Sequence, residues 1–113
     1  MSFRIDQESL APDVTVIKLG GDVDFYAAPE LNERLLTASD RGPKLLVDLT
    51  HTSFIDMTTL GLFLSAVRRL RPRGGSLTVL CPDPSMRRVF RVVGLDRIFA
   101  VEETLDEALD RLT

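Results

Sequence analysis

The stretch Pro43 to Leu70, PKLLVDLTHTSFIDMTTLGLFLSAVRRL, decides the architecture. From Lys44 to Leu49 it sets Leu45, Leu46, Val47 and Leu49 around a lone Asp48, and such a run reads as a strand covered on both faces. A short polar loop follows. Asp56 then stands where an N-cap is wanted, its carboxylate able to accept the N–H groups two and three residues on. Leu60, Phe63, Leu64, Val67 and Leu70 recur at spacings of three and four, which turns one helix face to a core. Thr58 and Thr59 fall in the first turn of that helix, at an edge expected to be exposed.

Outward from this unit, the N-terminal side reads as two strands. Phe3 and Ile5 alternate with polar neighbours, and Val14, Val16, Ile17 and Leu19 follow the turn-forming Ala11-Pro12-Asp13, so an antiparallel pair is expected. The second strand is expected to end at Gly20-Gly21, bringing Asp22 and Asp24 to the sheet edge. A helix from Pro29 to Ser39 follows, capped by Ala28, with Leu31, Leu35 and Ala38 inward.

On the C-terminal side, Arg71-Pro72-Arg73-Gly74-Gly75 breaks the central helix and Ser76 to Leu80 forms a strand. Asp83-Pro84 opens a helix with Met86, Val89, Phe90 and Val93 inward, and Gly94 closes it. Ile98 to Val101 is a last strand. Thr104 and Glu107 form a capping box for a helix burying Leu105, Ala108, Leu109 and Leu112. The order β-β-α-β-α-β-α-β-α predicts an α/β fold, with a mixed sheet of about five strands covered by about four helices.

The chain has 113 residues, 44% of them apolar, which suits one globular domain over residues 1–113. No apolar run spans a bilayer, and MSFRIDQESL has no secretory pattern, so a cytoplasmic location without membrane insertion is expected. The net charge of −3 argues against direct binding of nucleic acid, which needs an excess of Lys and Arg. Cys81, the only cysteine, reads as a small apolar residue at a strand end.

Chemistry of other kinds has little to stand on. His51 is the only histidine, and no Gly-x-Ser-x-Gly elbow accompanies it, so the chain reads as a non-enzyme. One histidine and one cysteine give no paired metal-ligand spacing. Asp22, Asp24, Asp48 and Asp56 lack an EF-hand frame, and no Gly-Lys phosphate loop is present, so neither metal nor cofactor is expected. A threonine in the first turn of a helix has two readings. It satisfies free N–H groups, or, once phosphorylated, it adds about −1.5 to −2 charge units that a docked partner need not tolerate.

At these residues the chain resembles the STAS domains of anti-sigma factor antagonists. LLVDLTHTSFIDMTTLGLFL is similar to the family's apolar strand ending in Asp, short loop and Asp-Ser-Ser-Gly-Leu-Gly turn. Leu19-Gly20-Gly21-Asp22-Val23-Asp24 resembles its Gly-x-Leu-Asp turn, and Val89 to Leu95, Ile98 and Thr104 to Leu109 also fit. The resemblance implies a STAS-like fold and a partner switch. The unmodified protein binds an anti-sigma factor that is a serine/threonine kinase, and this frees the sigma factor. The kinase phosphorylates Thr58, and a phosphatase resets it.

It also implies a partner-facing surface containing Asp24, Asp56, Met57, Thr59 and Leu60. Met57 stands where the family has a small or hydroxylated residue, and Thr59 where it has glycine, which makes Thr59 a second acceptor. The enlarged apolar contact at Met57 also suits an alternative. In that reading the STAS module docks constitutively, without phosphorylation, onto a larger signalling complex or a membrane transporter.

Overall fold

The computed structural model describes residues 2–112. Five strands form one mixed sheet in the order β1-β2-β3-β4-β5: β1 (Phe3–Ala11), β2 (Val14–Val23), β3 (Lys44–Ile55), β4 (Ser76–Leu80) and β5 (Ala100–Glu102). β1 and β2 pair antiparallel across the Pro12-Asp13 turn. All later neighbours are parallel, as chain segments connected through helices require. Four helices cover the sheet: α1 (Ala28–Arg41), α2 (Met57–Leu70), α3 (Pro84–Val92) and α4 (Leu105–Leu112).

Period-two alternation in the strands divides the core in two. Ile17, Leu19, Leu45, Val47, Leu77 and Val79 point to one face, where they meet Leu31 and Leu35 of α1, Leu60 and Phe63 of α2, and Phe90 of α3. Val14, Val16, Leu46 and Leu80 point to the other, where Ala108 and Leu112 of α4 cover them. The apolar run of β3 is explained by this split: Leu45 and Val47 serve one core and Leu46 the other. Phe63, Phe90 and Phe99 tie α2, α3 and the approach to β5 together. Phe63 stacks on Phe90 at 6.4 Å and Phe90 meets Phe99 edge-on at 6.0 Å.

Several boundaries differ from those expected. β3 does not stop at Leu49 but runs to Ile55, because β2 also continues, past Gly20-Gly21 to Val23, and supplies backbone partners. Gly20 pairs with His51, Gly21 with Thr52, Asp22 with Phe54 and Val23 with Ile55, through two register shifts. The Thr52 hydroxyl also donates to the Leu19 carbonyl at 2.8 Å. Gly21 keeps the strand going rather than ending it. Its φ is 77°, and the Ser2 carbonyl passes so close that a Cβ has no room.

α1 starts at Ala28, with no side-chain cap of its own, because a 3₁₀ turn at Phe25–Ala27 leads into it. β5 starts at Ala100 rather than Ile98, since Leu95–Arg97 turns as a 3₁₀ helix. Three residues expected inside are not. Val89 and Val93 of the α3 segment are exposed because only Met86 and Phe90 of that short helix are buried. Leu105 is half exposed and lines an open groove beside α4. Among the described residues no helix is long and apolar enough to cross a membrane.

Candidate functional site at the start of helix α2

The lengthened β2 and β3 deliver two turns to one end of the sheet. At the end of β2, Asp24 is the N-cap of the 3₁₀ turn, its Oδ1 accepting the Tyr26 N–H at 3.0 Å. At the end of β3, Asp56 is the N-cap of α2, with extended backbone and Oδ1 accepting the Thr59 N–H at 2.9 Å. An aspartate caps well because its carboxylate satisfies an N–H that the helix leaves free and sits at the positive end of the helix dipole.

The two threonines part company here. Thr58 is exposed, as expected. Thr59 is fully buried, so the expected exposed edge holds for Thr58 alone. The Thr59 Oγ1 lies 3.1 Å from the Val23 carbonyl and 3.0 Å from Asp56 Oδ1, and its single proton can be donated to either. This links the first turn of α2 to the end of β2. Helical geometry gives the reason: Thr59 shares the inward face with Phe63 and Ala66, at spacings of four and seven, whereas Thr58 is rotated about 100° away.

Leu60, expected at the partner-facing surface, is 2% exposed and belongs to the core. Of the other residues expected there, Met57 is 65% exposed and Asp24 and Asp56 are half-buried. The same end of the sheet carries three exposed aromatic residues that sequence reasoning missed. Phe25 and Tyr26 are 67% and 75% exposed and meet edge to face at 5.9 Å, and Phe54 is half exposed beside Asp22 in the ladder. The signal was present in the spacing: aromatic residues directly follow Asp24 and shortly precede Asp56. Large apolar side chains gathered in water mark a contact surface more than scattered ones do.

Gly61 completes the surface. It is exposed, sits within α2 with ordinary helical backbone, and a Cβ there would meet nothing within 4 Å. His51, in contrast, is an exposed strand residue paired with Gly20. Among the described residues no group of three or more His, Cys, Asp or Glu side chains could hold a metal ion.

The STAS domain family matches residues 9–108. This chain belongs to it. An anti-sigma-B factor antagonist of Bacillus subtilis (strain 168) is 30% identical over 101 residues, covering 89% of this chain and 92% of that protein. An anti-sigma factor antagonist from Mycobacterium paratuberculosis superposes with a TM-score of 0.87 at 28% identity, over 98% of this chain and 94% of the other. The Bacillus cell fate determinant SpoIIAA, solved in its phosphorylated form, superposes with a TM-score of 0.76 at 28% identity, over 97% and 100%. The mixed five-stranded sheet with four helices is therefore the STAS fold, and the site at the start of α2 is a site on a STAS domain.

Proposed function

We propose that this protein is an anti-sigma factor antagonist that binds an anti-sigma factor of the serine/threonine kinase type and is released by phosphorylation of Thr58. The observation that carries this reading is the division between adjacent threonines: Thr58 offers its hydroxyl to solvent, and Thr59 is buried with its hydroxyl engaged. A phosphoryl group on Thr58 would stand beside the Asp56 carboxylate, which already occupies the helix cap. It would also stand beside Met57, within a surface whose exposed aromatics need contact with an apolar partner. Charge placed there disfavours docking without any movement of the backbone. A phosphatase restores the unmodified state, and the exchange takes place in the cytoplasm, where sigma factors act.

The relatives support the assignment by name, and a phosphorylated form of SpoIIAA supports the kind of control. In this reading the protein is a regulatory binding protein rather than an enzyme. The test is incubation with the cognate kinase and ATP, followed by phosphopeptide mapping. Phosphate on Thr58, its loss in Thr58→Ala, and a Thr58→Ala complex that persists in ATP are expected. A kinase that phosphorylates a control antagonist but leaves Thr58 untouched would overturn the proposal.

One observation favours a second reading. Met57 exposes two thirds of its surface next to the acceptor, an apolar contact that suits permanent docking within a signalling complex or on a transporter. A pull-down decides between the two. The docking reading requires the same yield with and without ATP, and the switch requires a fall.

A further inference from the structure

Strand β1 is an edge of the sheet, with no strand beyond it among the described residues. From Phe3 to Ser9 it runs without a proline or a bulge, its register shift lying between Ser9 and Ala11. Beside it α1 leaves an open trough of about 540 Å³, where Glu30, Glu33, Arg34 and Arg41 stand near Gln7. An open edge of this length is a template for another strand.

The ladder with β2 determines which backbone groups are free. The Asp22 N–H donates to the Ser2 carbonyl at 3.1 Å, in register with the pairing of Phe3 and Gly21, so Ser2 turns towards β2. Alternation turns Arg4, Asp6 and Glu8 to β2 as well, and points the N–H and C=O groups of Phe3, Ile5 and Gln7 out at the open edge. The side chains of Phe3 and Ile5 pack on the core beneath α1 and α2, whereas Arg4, Asp6 and Glu8 are exposed on the opposite face. Glu8 is engaged by Lys18 at 3.0 Å. Asp6 acts on Lys18 only through its charge, and neither Asp6 nor Arg4 has a hydrogen bond or ion pair among the described residues.

We infer that β1 pairs antiparallel with β1 of a second copy of this chain, about a two-fold axis through Ile5. In that register Ile5 exchanges backbone hydrogen bonds with Ile5 of the second copy, and Phe3 with its Gln7. Arg4 of each copy then lies directly opposite Asp6 of the other. These are non-hydrogen-bonded positions, where Cα atoms approach to about 4.5 Å and side chains meet most closely.

The other registers are worse. An axis through Arg4 sets Arg4 against Arg4, one through Asp6 sets Asp6 against Asp6, and one through Gln7 sets Asp6 against Glu8, while an axis through Phe3 leaves most of the strand unpaired. Charges on an edge strand ordinarily deter pairing, but here their signs leave one register open. The two-fold closes the assembly at two copies. The trough brings two carboxylates and two guanidinium groups of α1 to the junction, so no net charge there opposes the approach. A contact of one strand from each copy is small beside the roughly 1,200–2,000 Å² of a standard interface, so the dimer is a weak one, forming at about 0.1 mM.

The test is sedimentation velocity of the whole chain from about 10 µM to about 1 mM, with amide hydrogen exchange at both ends of that range. Expected are a shift from monomer to dimer and slower exchange at Phe3, Ile5 and Gln7, with Asp6, already bonded to β2, unchanged. Arg4→Asp and Asp6→Arg each set like charges opposite and should weaken the dimer at least about tenfold. An equimolar mixture of the two variants again sets a carboxylate opposite a guanidinium at both positions and should restore it. Both positions are exposed, so folded variants are expected, and circular dichroism checks this.

The inference is overturned by a chain that stays monomeric at the highest concentration, by single variants that dimerise like the native chain, or by a mixture that stays monomeric. Slowed exchange at Phe25 and Met57 in place of Ile5 would overturn it as well, by moving the contact to the other end of the sheet. Thr58 takes no part, so failure here leaves the switch standing.

Discussion

Helices α2 and α3 begin in the same way and serve different ends. Each has an aspartate N-cap, Asp56 or Asp83, and each carries an exposed hydroxyl at its second position, Thr58 or Ser85. Asp83 accepts the Ser85 N–H at 2.9 Å, whereas Asp56 reaches one residue further, to Thr59. The third positions differ more. Met86 only fills the core, while Thr59 also joins its helix to β2 through the Val23 carbonyl.

The surroundings differ most. Exposed Met57 adjoins Thr58 in sequence, and exposed Phe25, Tyr26 and Phe54 lie at the same end of the sheet, but Ser85 is followed by Arg87 and Arg88, and Arg87 donates to the carbonyls of Cys81 and Pro82 at 3.0 and 2.7 Å. A phosphate at either position would stand beside its capping aspartate, but at Ser85 two arginines follow in sequence, whereas at Thr58 the neighbour is the exposed apolar Met57. A capped hydroxyl is thus a local device that the chain uses twice. The neighbourhood, rather than the cap, singles out Thr58.

The largest test of that contrast is paired charge insertion. Thr58→Glu should weaken binding to the anti-sigma factor by about 2–3 kcal/mol, and Ser85→Glu should leave it unchanged, as measured by calorimetry. Equal losses would erase the distinction between the two helix starts. Next is the aromatic surround: Tyr26→Ala should cost about 1–2 kcal/mol of binding with stability preserved, because the ring is three-quarters exposed in the free protein.

Stability comes third. Asp56→Ala should lower unfolding free energy by about 1–2 kcal/mol and Asp83→Ala by about 0.5–1, read from urea midpoints, since Asp56 caps a longer helix and lies partly buried, whereas Asp83 is exposed. Thr59→Val should cost about 1 kcal/mol, because the Val23 carbonyl then loses its buried donor.

The smallest effect belongs to the approach to α3. Burial pushes the Cys81 thiol from 9.0 up to about 11, more than the nearby Arg87 charge lowers it, and Asp83 adds to the rise. A group that holds its proton more tightly when folded stabilises fully below its unfolded pKa and loses that contribution as pH rises towards the folded value. Stability should therefore fall by less than about 1 kcal/mol between pH 8 and 9.5, and Cys81→Ala should remove that part of the slope.

Much of this was legible beforehand, for local reasons. Leu45 to Leu49 read as a doubly covered strand because apolar residues on both parities require two cores. Asp56, Asp83 and the Thr104–Glu107 pair read as helix starts because caps are chemistry at short range. Thr50 to Ile55 did not read as strand, since its polar residues are held by pairing with β2, a partner distant in sequence. Thr59 was misplaced for a related reason. Threonine suits an exposed first turn, and only the Val23 carbonyl of another strand makes its burial acceptable. Leu105 and Val93 show the opposite error, in which a residue continues an apolar periodicity yet stays exposed.

Gly61 carries a consequence for thermal tolerance. A methyl group there would strike nothing, and the backbone is already helical, so Gly61→Ala should raise stability by as much as about 1 kcal/mol. The protein thus keeps a removable weakness one turn beyond Thr58, and with it a bare strip of backbone that another molecule can approach at van der Waals distance. Heat resistance and the flatness of that strip are opposed at a single atom, the Cβ that Gly61 lacks.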